Sequence, residues 1–189
     1  MYPPDLTERL RARLEAAPKP ALPPNTRPAA VLLPLISGAD PSLVFTRRTE
    51  DLPRHPGEIS FPGGLMDEGD RDLRQTALRE AEEELGIGAG AVDVLGALEP
   101  VHTVVSAILI VPFVGVLARR PAFAPSASEI AEVLEYPVTR LVEAETEVEW
   151  PLGGHVYRGF AYGIDGNTIW GATARILHEL IEMMRSEER

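Results

Sequence analysis

The stretch LRQTALREAEEELG, from Leu73 to Gly86, limits the possible folds more than any other part of the chain. Leu73, Ala77, Ala81 and Leu85 recur every four residues. At about 3.6 residues per turn they line one side of a helix that can pack on a sheet. A helix is predicted over Asp72 to Leu85, with Gly86 standing where helices usually stop. Glu80, Glu83 and Glu84 are three and four residues apart and share another side. Glu82 lies about 200° of rotation from Glu80 and is expected to face solvent. Arg79, one turn before Glu83, is placed to pair with it.

Three carboxylates gathered at low dielectric repel one another strongly unless a cation neutralises them. All-oxygen ligands suit Mg²⁺ or Mn²⁺ better than zinc. The preceding glycine pair, Gly63 and Gly64, adds backbone that can approach closely because it carries no side chain. The alternative for these residues alone is a solvated acidic helix face.

Composition narrows the functional classes. Acidic residues number 29 against 18 basic ones, a formal net charge of −11, which argues against nucleic acid as the main partner. A small anionic ligand would need divalent metal and a few local arginines to reverse the sign at its site. The absence of Cys excludes disulfides, thiolate metal sites and Cys nucleophiles. No GxSxG elbow is present, and His55, His102, His155 and His178 lie far apart in sequence. The N-terminus lacks a basic-then-apolar leader pattern. The longest apolar run, Val104 to Leu117, falls short of the roughly 20 residues of a bilayer span and contains Pro112. A cytoplasmic protein without a membrane partner is the expectation.

With 189 residues, 44% of them apolar, the chain suits one main domain with a real core. Residues 1–28 read as an N-terminal helix, striped by Leu6, Leu10 and Leu14, followed by a Pro-rich connector. Residues 29–189 form the main domain. Ala29 to Ile36 and Ser42 to Arg48 read as a strand hairpin, and Leu52 to Gly64 as a loop with a short strand inside it. Ala91 to Val101 and the two apolar runs around Pro112 are strand-like. Ser126 to Leu141 is predicted as a short helix or strand ending before Pro137. Glu145 to Leu152 alternates as a strand. Val156 to Gly171 suggests two strands joined by an Asp-Gly turn, and Ala172 to Arg185 an amphipathic closing helix. Strands interleaved with few helices point to an α+β fold with a mixed sheet covered by helices.

Gly64 and then REAEEELGI, Arg79 to Ile87, resemble the Nudix box, whose tail reads R-E-U-x-E-E-x-G-U with U aliphatic. The tail matches at every specified position. The front half departs from it. Asp70 stands for the usual middle Glu, and the stretch from Asp70 to Arg79 is one residue longer. That longer spacing is similar to the coenzyme A pyrophosphatase-like branch of the Nudix hydrolases, whose upstream signature FTRRTEDLPRHPGEISFPGG, Phe45 to Gly64, also resembles. Thr49 replaces Ser or Ala there, and Pro53 stands where Arg is expected, with Arg54 beside it. IWGATARIL, Ile169 to Leu177, looks like the same branch, whereas VVSAILIVP, Val104 to Pro112, replaces the branch's Thr-Gly-aromatic stretch.

The resemblance implies a Nudix-like α/β/α sandwich with a central mixed sheet and the acidic helix on one face. It implies metal-dependent hydrolysis of a nucleoside diphosphate linked to another group, most closely coenzyme A or its derivatives. ADP-ribose, NADH, dinucleoside polyphosphates and nucleoside triphosphates are alternatives, as is a non-catalytic Nudix-fold binding module. The metal ligands for Mg²⁺ or Mn²⁺ would be Glu80, Glu83 and Glu84, with the Gly63 carbonyl as a further ligand. Arg79 would orient the carboxylates, and Asp70 would be a structural or outer-shell acid. Glu129 is the candidate general base, against a capping or solvated acid. Arg47, Arg48 and Arg54, together with Gly63 and Gly64, are the candidate substrate contacts, since Arg forks match phosphate. His55 is expected to be a hydrogen-bonding loop residue. A homodimer follows from the likeness alone.

Overall fold

The computed structural model describes residues 6–15, 26–52, 55–103, 107–152 and 155–185. The elements in chain order are α1 (Leu6–Glu15), β1 (Arg27–Ile36), β2 (Ser42–Arg48), β3 (Ile59–Ser60), β4 (Gly63–Leu65), α2 (Leu73–Leu85), β5 (Asp93–Ala97), β6 (Val101–His102), β7 (Ile108–Leu117), β8 (Ile130–Pro137), α3 (Val138–Ala144), β9 (Glu145–Leu152), β10 (His155–Ile164), β11 (Asn167–Ile169) and α4 (Gly171–Arg185).

β1 and β7 run parallel over ten residue pairs at the centre of an eight-stranded sheet. Every other pairing in that sheet is antiparallel, so it is mixed. β1 pairs with β2 only at Leu35 and Ile36, and β4 takes over at Ala29 to Val31. The sheet therefore splits, and the FPGG segment crosses the gap, where Leu32 N–H donates to the Pro62 carbonyl. β7 continues through Pro112 as one strand rather than two runs. The N and C=O of a strand residue point to the same side, and the Pro112 carbonyl accepts from Leu98 N–H. The missing N–H thus faces Leu98 just past the end of β5, and only the reciprocal bond of that one pair is absent.

β2 alternates between two cores. Val44 joins Ala30, Leu32, Leu117 and the α2 residues Ala77, Ala81 and Leu85 on one face. Leu43 and Phe45 face α1, α4 and the second sheet, with Leu10, Leu177, Leu180 and Tyr162. Helices therefore cover both faces of the mixed sheet, as expected for the sandwich. The predicted α4 stripe, Ile176, Leu177, Leu180, Ile181 and Met184, is wholly buried. Of the two alternatives for the segment after Ser126, the strand is the one formed, and it includes Pro137 rather than ending before it; the helix comes only afterwards. β8 runs to Pro137, whose fixed φ then opens α3. The Asp-Gly turn is present, with Asp165 at φ 50° and Gly166 at φ 76°. The three-stranded sheet β9–β10–β11 is antiparallel throughout.

Gly96 on β5 lies directly against α1. An added Cβ there would lie 2.6 Å from Leu14 Cβ and 3.1 Å from its carbonyl carbon. Gly96→Ala is expected to push α1 off the sheet and cost about 1–3 kcal/mol, as overpacking typically does. A urea midpoint checks it.

Candidate active site

α2 begins at Asp72, whose side chain accepts from Gln75 N–H, and ends at Gly86 in the left-handed conformation (φ 70°). These caps set the ends of the helix, and the packing of Ala77, Ala81 and Leu85 sets its rotation over the sheet. Within its acidic run the environments diverge. Glu82 is exposed, and Glu83 has 61% of its side chain in solvent and accepts from Arg79 at 3.0 Å. Glu80 is largely covered and lies 2.9 Å from the same guanidinium nitrogen. Glu84 is 4% exposed, and its Oε2 has no hydrogen-bond partner among the described residues.

Arg79 spans the site. Its Nε and Nη2 donate to Asp70 at 3.1 and 3.0 Å, Nη2 also to the Leu65 carbonyl at 3.2 Å, and Nη1 reaches Glu80 and Glu83. The Asp70 side chain, 2% exposed, further accepts from the Thr76 hydroxyl at 2.9 Å and Asp67 N–H at 3.0 Å. The Arg79 hydrogen bond is the chief reason its pKa falls to about 2. Glu84 moves the other way. Burial above all, and then the neighbouring Glu80 charge, push it up to about 8, while Arg48 and the Gly63 N–H oppose the rise. Glu80 is also raised, by burial first, against the pull of Arg79.

The glycine pair has two separate jobs. An added Cβ at Gly63 would collide with the Ala30 carbonyl oxygen and lie 2.7 Å from Val31 Cα, both strand backbone. At Gly64 it would collide with the Glu80 carboxylate, with Cδ at 2.6 Å. Gly63→Ala is therefore expected to destabilise the fold. Gly64→Ala should leave it folded, displace Glu80 and slow the reaction about a hundredfold, the usual effect of an ångström-scale misplacement. Thermal melts and rates on both variants separate the two roles.

Strand alternation divides the arginines. Arg47 follows Leu43 and Phe45 onto the face away from α2, where it donates to Glu132 at 3.0 Å and Asn167 at 2.6 Å. Asn167 in turn donates to the Tyr136 hydroxyl at 2.7 Å. Arg47 is thus not brought together with the carboxylates, because its guanidinium ties β2 to the second sheet. Arg48 follows Val44 toward α2, acts on Glu84 and leaves a buried Nε without a hydrogen-bond partner among the described residues. Arg54, Pro53 and Val104 to Ser106 lie outside the described residues. Glu129 is exposed, lies in the segment whose Ser126 N–H donates to the Glu84 carbonyl, and adds through its charge to the rise of both Glu80 and Glu84. His55 pairs with Glu58 at 2.7 Å in its loop.

Among the described residues no three acidic or imidazole side chains form a ready-made cation cage. The donor set nonetheless suits a hard cation. It is all oxygen, and it includes a buried carboxylate oxygen that no protein group satisfies. Among the described residues no helix is long and apolar enough to cross a membrane.

A mixed sheet with an acidic helix on one face, held by an Arg–Asp anchor under a glycine loop, defines a Nudix-type hydrolase domain. The family model described as the NUDIX domain matches residues 26–151. A protein of Photorhabdus laumondii named "Uncharacterized Nudix hydrolase NudL" is 36% identical over 183 residues, covering 96% of this chain and 97% of its own. Its namesake in Pectobacterium atrosepticum is 39% identical over 171 residues, 84% of this chain and 86% of its own. A solved MutT/nudix family protein from Enterococcus faecalis shares the fold at TM-score 0.52 and 13% identity, over 97% of this chain and 73% of its own. The Nudix hydrolase RenU of M. Smegmatis does so at TM-score 0.51 and 19% identity, over 62% and 74%. The chain belongs to the Nudix hydrolase family.

Proposed function

We propose that the protein is a divalent-metal-dependent pyrophosphohydrolase acting on coenzyme A or its derivatives, releasing 3′,5′-ADP and 4′-phosphopantetheine. The observation that carries the metal-dependent reading is the buried, unpartnered Glu84 oxygen beside Glu80 and under Gly63. The choice of coenzyme A rests on the upstream signature that ends in that same glycine pair. Glu80, Glu83 and Glu84, with the Gly63 carbonyl, would hold Mg²⁺ or Mn²⁺. When bound, the cation supplies charge neutralisation at the pyrophosphate and activation of water.

The chain's own groups do the rest. Arg79, anchored on Asp70, keeps the Glu80 and Glu83 carboxylates oriented. Arg48, and Arg54 upstream of the glycines, bind phosphate oxygens. Glu129 takes the proton as water attacks phosphorus, and the bond to the bridging oxygen breaks so that the second phosphate leaves. Such positioned acid–base help contributes about 10²–10⁴-fold.

One observation favours a second reading, a substrate with only two phosphates such as ADP-ribose. Arg47 is engaged by Glu132 and Asn167, which leaves fewer arginines for a third phosphate. A panel with Mn²⁺ or Mg²⁺ containing coenzyme A, acetyl-coenzyme A, ADP-ribose, NADH and dNTPs decides between them. Release of 3′,5′-ADP from coenzyme A supports the first reading. Turnover of ADP-ribose alone overturns it, and no turnover of any member removes both.

A further inference from the structure

The Pro121–Glu129 segment between β7 and β8 is strapped across the end of α2. Ala124 N–H donates to the Leu85 carbonyl at 2.9 Å, and Ser126 N–H to the carbonyl of Glu84 itself at 3.0 Å. The Ser126 carbonyl then accepts from Glu129 N–H at 3.0 Å and Ile130 N–H at 2.8 Å, which closes a turn. The far side of that turn is held by Thr49, the residue just beyond β2. Its N–H donates to the Glu129 carbonyl at 2.9 Å and its hydroxyl to the Ser128 carbonyl at 3.4 Å. The backbone of Glu129 is thus fixed from α2 on one side and from β2 on the other.

We infer that Thr49 is a positioning residue that aims Glu129 at the α2 carboxylates. The inference rests on the reading of Glu129 as the proton acceptor. No side chain among the described residues hydrogen-bonds the Glu129 carboxylate, so the ties on its backbone are what limit where it can reach. Thr49 supplies two of those ties, one through a hydroxyl that alanine lacks. Its β-branched side chain has few rotamers, so the hydroxyl is held in place more firmly than a serine hydroxyl. Losing one net hydrogen bond of about 1 kcal/mol corresponds to about a fivefold change.

The test compares Thr49→Val, Thr49→Ser, Glu129→Gln and the Thr49→Val/Glu129→Gln double variant. It uses coenzyme A or ADP-ribose with Mn²⁺, alongside amide hydrogen exchange of the metal-free proteins. Thr49→Val is expected to lower kcat about fivefold with KM unchanged, and Thr49→Ser to restore most of it. Exchange at Glu129 and Ile130 should quicken while the α2 amides stay as protected as before. In the Glu129→Gln background, Thr49→Val should have no further effect. If Thr49→Val does not fold, Thr49→Ala removes the same hydroxyl. A Thr49 variant that matches the natural protein in rate and exchange, or whose slowing adds undiminished to that of Glu129→Gln, overturns the inference and leaves Glu129 standing. Full activity in Glu129→Gln removes the base assignment and, with it, the role of Thr49.

Discussion

Glu84→Gln is expected to reduce hydrolysis about a thousandfold while leaving the protein folded. The substitution keeps the shape of a side chain that is 4% exposed, so no cavity opens. It removes a buried carboxyl that can give up its proton to take a cation, and metal charge stabilisation is worth several kcal/mol, each 1.4 kcal/mol being about tenfold in rate. Stability should move the other way. The Glu84 carboxyl stands at about 8 in the fold against 4.5 unfolded. Below about pH 4.5 it is protonated in both states and costs nothing. As pH rises toward 8 the unfolded state releases the proton first, so the metal-free protein loses stability through that window. Glu84→Gln should flatten this slope. Mn²⁺ should raise the melting temperature of the natural protein more at pH 8 than at pH 6, and that difference should shrink in the variant. Melts across pH, with and without metal, read all three effects.

Asp70→Asn is expected to destabilise the protein by about 3–5 kcal/mol, the usual cost of breaking a buried ion pair from one side. The two Asp70 oxygens receive only donors, namely the Arg79 guanidinium, the Thr76 hydroxyl and Asp67 N–H. An asparagine amide must turn its NH₂ toward one of them, and the Arg79 charge loses its buried partner. Activity falls as well, because Arg79 also holds Glu80 and Glu83. Asp70 titrates near 2 in the fold against 3.8 unfolded. Its contribution is therefore present above pH 3.8 and lost as pH falls to 2, about 2 kcal/mol in all. Urea unfolding of both proteins at pH 7 and pH 2.5 should show the gap narrowing in acid. An equal gap at both values would mean that the charge of Asp70 is not what stabilises the loop.

Much of this was legible in the chain. Local signals marked the elements well. Leu73, Ala77, Ala81 and Leu85 gave the packed side of α2, Asp72 and Gly86 gave its ends, and Asp165-Gly166 gave the last hairpin. Angular spacing grouped Glu80, Glu83 and Glu84 but did not reveal their depth. Glu84 is buried because α2 packs on β1 and β4 and the 121–129 strap bonds to the end of the helix, contacts that no local pattern reports. Arg47 and Arg48 look equivalent as neighbours, yet alternation along β2 sends them to opposite faces, and the partners that claim Arg47 lie on β8 and β11. The use of Gly64 was hidden for the same reason, since the group it makes room for is the carboxylate of Glu80. The passage of β7 through Pro112 depends on where β5 gives way to β6, which no local pattern reports.

The central claim is that the carboxylates of α2, Glu84 above all, take up a divalent cation for pyrophosphate hydrolysis. Titration of free Mn²⁺ by electron paramagnetic resonance, on the natural protein, Glu84→Gln and Glu82→Gln, tests it most directly. Saturable binding by the natural protein and Glu82→Gln, weakened about tenfold or more in Glu84→Gln, is the predicted result. Binding of the same strength in all three, or in none, would contradict it.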